Sequence, residues 1–294
     1  MGSILPGGAA RRTRSAQPLL IRNAWGTVRR RAGAGRAGRT VGSVTAIDLN
    51  ADLGETVDGV PTADDEAMFA VISSASIACG GHAGDATSMR ASVARAERFG
   101  VAVGAHPAYP DPANFGRVPV AMDAGDLAAT VLEQLERLHL AGADLRYVKP
   151  HGALYHAVIG DREQADAVAR AVAGFSEQLG RPMPVLGLPG EIAAAAASVG
   201  LPFVREAFLD RGYLPDGGLV PRGQPGALLD DPGQVAARAV RLAREGVVEA
   251  IDGTLLDGAA ASLCVHGDSP AAVAMARAVR SALDEAGVEV RAPW

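Results

Sequence analysis

Four of the six histidines, His82, His106, His151 and His266, each directly follow a short apolar run and sit next to Gly or Pro. Imidazole changes charge near neutrality and also binds metals, so it serves as acid, base or ligand. One loop histidine says little, but four at equivalent places after apolar runs point to one shared site. His139 and His156 fall in helical stretches and are expected to be structural or solvent-facing. Lys149 stands two residues before His151 and is the only lysine among 28 basic residues. An ammonium is a compact charge whose pKa shifts on burial, so it can act as acid, base or anion clamp. The alternative is a surface lysine beside a histidine that caps a carbonyl.

Asn50 and Asp52 lie two residues apart at the end of the first apolar run, with Glu55 following. On extended backbone, side chains two apart share a face. Asp52 with His82 and His106 would make an Asp/His/His set for a divalent metal. The same carboxylate could instead hold an imidazole in one tautomer for proton transfer; the sequence leaves both open. Arg117, Arg211 and Arg222 lie in Gly-rich segments, where a guanidinium can grip a carboxylate or phosphate through paired hydrogen bonds. Asp210 pairing with Arg211 or Arg222 would instead merely fasten the loop.

Elements that would carry these residues alternate along the chain. Apolar runs at 44–49, 72–79, 101–105, 145–149, 184–188, 202–206 and 262–265 read as strands. Between them lie helical patterns. Asp85 is placed to cap a helix ending at Phe99 and Gly100, and Leu127, Val131, Leu135 and Leu138 form one apolar stripe. Ser269 and Pro270 are expected to open the last helix. Seven strand–helix alternations predict a parallel sheet. Polar residues after so many different strands favour an irregular (β/α) barrel, whose loops converge on one mouth, over an open doubly wound sheet.

Length and composition agree with one barrel domain over residues 44–294. Apolar residues make up 48% of the chain but aromatics only 4%, so the core must be built from small aliphatic side chains. Residues 1–46 hold nine arginines and no acid; the first 43 are read as a disordered, Arg-rich extension. The remaining body is strongly acidic, which argues against nucleic acid as partner. No apolar run is long enough for a membrane span. Cys79 and Cys264 lie in apolar runs without metal-knuckle spacing and suit a reducing cytoplasm. The chain lacks a Gly-x-x-x-x-Gly-Lys-Ser/Thr phosphate loop, a Gly-x-Ser-x-Gly elbow and a His-Glu-x-x-His pair.

Taken together, the segments 47–55, 77–85, 104–107, 115–117, 147–155, Glu206 with Asp210-Arg211, Arg222 and 264–268 resemble the LamB/YcsF family, described as A subunits of an ATP-dependent 5-oxoprolinase. The matching pieces keep the family's order over roughly 44–290. Departures are Gly81 where the family often has Phe, Ala108 for Gly, Val118 for a second Arg and His156 for Asn. The resemblance implies a seven-stranded barrel similar to the glycoside hydrolase/deacetylase superfamily. It also implies cleavage of 5-oxo-L-proline to L-glutamate with ATP and Mg, alongside subunits B and C. On that reading Asp52, His82, His106, Lys149, His151 and His266 carry the chemistry. Asn50, Glu55, Asp85, Arg117, Tyr155, Glu206, Arg211, Arg222 and Asp268 would surround the substrate, and Lys149 would face an oxygen that becomes negative. The alternatives are a stand-alone metal-dependent deacetylase or carbohydrate hydrolase, and a non-catalytic subunit of a lactam-utilisation complex.

Overall fold

The computed structural model describes residues 1–2 and 46–294. The Arg-rich extension, apart from its first two residues, lies outside them, as do Val44 and Thr45 of the expected first strand.

Seven parallel strands close on themselves: β1 (Ala46–Leu53), β2 (Ser74–Ala78), β3 (Ala102–His106), β4 (Leu145–Val148), β5 (Val185–Gly187), β6 (Phe203–Phe208) and β7 (Ser262–Cys264). Each pairs with the next, and β7 pairs with β1 through Asp48–Ser262 and Asn50–Cys264. A two-residue strand, β8 (Glu289–Val290), joins the outer start of β1 at Ala46–Ile47. Barrel closure, expected from where the polar residues fall, is thus realised.

Every crossover between barrel strands is helical. The short α1 (Asp65–Phe69) links β1 to β2, α2 (Ala86–Phe99) leads to β3, and α3 (Ala124–Leu140) leads to β4. After β4 come α4 (Gly152–Gly160) and α5 (Arg162–Leu179), then α6 (Glu191–Ser198) after β5. Helix α7 (Pro232–Glu245) precedes β7, and α8 (Ala272–Glu285) follows it. Asp85 caps α2 with a capping box, and Gly100 closes it with φ of 67°. The start of α8 departs from expectation. Its N-cap is Ala271 with no side-chain bond, and Ser269 and Pro270 lie before the helix.

The barrel interior is polar, and β1 explains how. Leu49, Ala51 and Leu53 belong to the apolar core, while Asp48, Asn50 and Asp52 alternate with them and bond across the lumen. Asp48 accepts hydroxyl hydrogens from Ser73, Ser74 and Ser262 at 2.5–2.7 Å. Burial pushes its carboxyl up, against those three bonds. Tyr147 spans the lumen nearby, and Gly104 makes the room: a Cβ there would stand 2.3 Å from the Tyr147 ring.

Candidate active site

Lys149 follows β4 and is 1% exposed. Its Nζ donates to Asp52 Oδ1 at 3.0 Å, Asn50 Oδ1 at 3.1 Å and Cys264 Sγ at 3.2 Å, and lies 3.2 Å from Glu206 Oε2. An ammonium has three protons, so these partners use them all. Burial would lower its pKa, but Asp52, Cys264 and Glu206 hold it well above the ordinary lysine value. Lys149 also lines the cavity above. Lys149 is a fully engaged cation that fixes the carboxylates of β1 and β6.

Asn50 and Asp52 do share a face, since both reach Nζ. Asn50 also donates to Ser262 Oγ at 2.7 Å, and Tyr155 donates to Glu206 Oε1 at 2.9 Å. Asn50 and Glu206 are fully buried and do not line the cavity above, so they lie beneath it. Burial would raise the Asp52 pKa, yet His106 and Lys149 hold it well below the usual carboxylate range.

The histidines gather on the opposite side of Asp52. His106 Nε2 is 3.3 Å from Asp52 Oδ2, and its Nδ1 donates to the Lys149 carbonyl at 2.7 Å. His151 Nδ1 faces His106 Nε2 at 3.0 Å, while its Nε2 donates to the Phe115 carbonyl at 2.9 Å. His82 stacks on His151 at 3.6 Å and 4°, and its Nε2 lies 3.0 Å from Glu55 Oε1. Burial, followed by the neighbouring imidazoles, pulls both His82 and His151 well below the ordinary histidine value. Burial likewise raises Glu55. Among the described residues, Glu55, His82, His106 and His151 have donor atoms all within 4.8 Å of one another. Glu55 and His151 join His82 and His106 in this group, whereas Asp52 turns one oxygen to Lys149.

Local backbone builds this cluster. Phe115 adopts φ of 54° and Gly116 φ of 61°, bending the loop so that the Phe115 carbonyl meets His151. Gly152 has φ of 53°, and a Cβ there would come 2.5 Å from the Gly116 carbonyl. That close approach needs a glycine, and it lets Ala153 N donate to Gly116 O at 2.9 Å. Gly81 is likewise constrained: a Cβ would lie 2.2 Å from Gln134 Oε1. Gln134 fills that space and bonds both the N–H and the carbonyl of Ala108.

His266 stands apart from the other three. Its Nδ1 lies 2.9 Å from Asp210 Oδ1, and its backbone N–H donates to Asp210 Oδ2 at 2.9 Å. Burial works against protonation, but Asp210 outweighs it and raises His266; Asp210 is lowered in turn. A cavity of about 450 Å³ opens over these groups, lined by Asp52, Glu55, His106, Lys149, His151 and His266 below. Arg117, Arg222 and Asp268 form its rim, with Asp268 Oδ2 2.9 Å from Arg117 and 3.6 Å from Arg222.

Two expected substrate residues have partners within the fold. Asp85 is exposed, lies outside this cavity and accepts from Thr87 N and Ser88 N as a helix cap. Arg211 lines the cavity, and it also donates to the carbonyls of Ala227 and Val220, fastening the loop after β6. Other contributors are not legible in the sequence. Cys264 reads there only as a small hydrophobe, yet it accepts from Lys149; its place two residues before His266 on a strand is the available signal. His156 lines the cavity from α4. Phe208 stacks against His266 at 5.5 Å.

The LamB/YcsF family model matches residues 47–293. A relative from Streptomyces griseus, named as the A subunit of 5-oxoprolinase, is 51% identical over 84% of this chain and 99% of its own length. Another of that name from Cutibacterium acnes is 46% identical, covering 85% of this chain and 99% of its own. The crystal structure of a lactam utilization protein from Thermus thermophilus superposes with a TM-score of 0.78 at 44% identity, covering 84% of this chain and 99% of that one. With the family model spanning the whole barrel and its polar mouth, this chain belongs to the LamB/YcsF family.

Proposed function

We propose that this chain is the ring-opening component of a 5-oxoprolinase, hydrolysing the lactam amide of 5-oxo-L-proline to L-glutamate with ATP hydrolysis and partner subunits. The observation that carries the reading is the pairing, across one cavity, of a histidine group beside an ionised carboxylate with an Asp-held imidazole. Relatives matched over 99% of their own length bear the matching name.

A lactam is an unreactive amide, so hydrolysis needs a base for water, a proton for the leaving nitrogen and compensation for the negative charge formed on oxygen. The histidine group beside Asp52, with His106 3.3 Å from that carboxylate, is suited to activate water. His266, kept protonated by Asp210, is suited to give a proton to the leaving nitrogen. Arg117 and Arg222 are placed to hold the substrate carboxylate at the rim. Lys149 keeps Asp52 ionised and fixed. No phosphate loop occurs in the sequence, so the partner subunits would handle ATP.

The deciding experiment is ATP-dependent release of glutamate from 5-oxoproline by this chain mixed with its partner subunits. Glutamate release that requires this chain supports the reading. No glutamate from the complete mixture, or release that does not need this chain, sinks it.

A further inference from the structure

The His106–His151 contact is unusual in its chemistry. Each ring has one nitrogen fixed as a donor to a backbone carbonyl, Lys149 O for His106 and Phe115 O for His151. The nitrogens left over, His106 Nε2 and His151 Nδ1, face each other at 3.0 Å, with Asp52 Oδ2 also 3.3 Å from His106 Nε2. The Glu55 carboxylate lies against the same point, 3.5 Å from His151 Nδ1. Charge is short on the positive side as well. Lys149 is shared by Asp52 and Glu206, so Glu55 is left facing imidazoles.

We propose that this point is a divalent transition-metal site, with the Glu55 carboxylate, His106 Nε2 and His151 Nδ1 as ligands and a further coordination position open to the mouth cavity. Two imidazoles and one carboxylate suit zinc, and an open position is the mark of a reactive rather than structural zinc site. Metal-bound histidines generally donate their other N–H to a carbonyl or carboxylate, and both rings already do so. All three residues border the cavity, so an ion there would be reachable by a ligand in it.

His82 belongs to the site in a different way. Its ring is stacked on His151 with the planes only 4° apart, so their in-plane lone pairs run parallel and cannot converge on one ion. Its Nε2 instead supports Glu55 at 3.0 Å. His82 is therefore a positioning residue, and the ligand set differs from Asp52, His82 and His106.

The test reads bound metal and so stands apart from the lactam assignment. The full chain is stripped with a chelator, then titrated with Zn²⁺ or Co²⁺ in competition with a chromogenic chelator. About one equivalent binds to the unaltered protein. His106→Ala, His151→Ala and Glu55→Gln each weaken binding by more than about 100-fold, beyond the ~10–100-fold expected of the outer-shell change His82→Gln. Thermal melts identify any variant that fails to fold. The visible spectrum of Co²⁺ on the unaltered protein, which needs no variant, shows d–d bands without thiolate charge transfer. No uptake by the unaltered protein overturns the proposal. So does a thiolate band, which would place the ion at Cys264, or full binding by the double variant His106→Ala/His151→Ala. A His82→Gln loss as large as the ligand variants overturns the three-ligand assignment.

Discussion

His106 Nε2 and His151 Nδ1 lie 3.0 Å apart, and each ring is held there by a carbonyl from a different segment. The Lys149 carbonyl fixes His106 and the Phe115 carbonyl fixes His151, so neither imidazole is free to turn away. Water-activating groups positioned this firmly spend little on orientation during reaction. Replacing His106 by Gln should lower kcat about 10²–10⁴-fold in the reconstituted glutamate-release assay, the usual range for a lost group that activates water. KM should change much less. A kcat within a factor of a few of the original would remove His106 from the chemistry.

Lys149 lies beneath that pair, and its partners predict a stability effect rather than a purely catalytic one. Lys149→Met would leave Asp52 and Glu206 buried together without their cation. Breaking one side of such a buried group costs about 3–5 kcal/mol. Adding Asp52→Asn should recover part of that loss, because one uncompensated charge disappears. Urea unfolding of the single and double variants measures both effects. An unchanged midpoint for Lys149→Met would mean that the ammonium is not the organiser of these carboxylates.

At the rim, Asp268 holds Arg117 and Arg222 through one oxygen. Both guanidinium groups are partly exposed, so these pairs contribute little to folding. They are instead available to a substrate carboxylate. Arg222→Ala should raise KM about 10–100-fold, the worth of a charge-assisted bond, while kcat stays near its original value. Steady-state kinetics over a range of 5-oxoproline concentrations decides the matter. A fall in kcat with KM unchanged would place Arg222 in the chemistry instead.

Much of this barrel was legible from residue order, and the reasons are local. Asp85 and Gly100 mark the ends of α2 because capping chemistry is read within a few residues. Four histidines after strands point to one mouth because parallel strands put their carboxyl ends together. What could not be read depends on distant packing. The three protons of Lys149 are assigned by strands β1, β6 and β7, far apart in sequence. Arg211 turns inward to loop carbonyls that no pattern announces, and Glu206 is drawn under the floor by Tyr155. The small hairpin of Val247–Glu249 with Leu255–Asp257 is too short to show periodicity.

The Asp210–His266 pair predicts a pH-dependent stability. His266 is raised above 6.5, so its contribution is complete below that value and is lost as pH rises through the folded pKa. Asp210 is lowered below 3.8, so its contribution is complete above that value and is lost as pH falls through its folded pKa. The window of full effect thus runs between the two unfolded values. Asp52 strengthens the imidazolium and Arg222 opposes it, while the Phe208 ring covers one face. His266→Gln should therefore lower Tm most near pH 5–6, about the upper part of that window, and the gap should narrow as pH rises. A Tm difference that is flat from pH 5 to 9, a range of roughly four units, would show that His266 is not charged in the folded protein.

Opposite the mouth, Trp294 stacks on Tyr147 at 4.3 Å and 20°, and its Nε1–H donates to Ser74 Oγ at 2.8 Å. Ser74 also donates to Asp48, so the indole joins the polar layer that holds β1, β2 and β7 together. This ring lies at the end of the lumen away from the cavity, and its partners Tyr147 and Ser74 do not line that cavity. Trp294→Ala should cost about 2 kcal/mol through lost apolar contact and stacking. Trp294→Phe should restore the stacking part but not the bond to Ser74. Because the indole's partners do not line the mouth cavity, kcat and KM at temperatures well below Tm should remain near their original values. Chemical unfolding alongside glutamate-release kinetics separates the two outcomes. A large loss of kcat in a variant that still melts cooperatively would mean that the base of the barrel sets the geometry of the mouth.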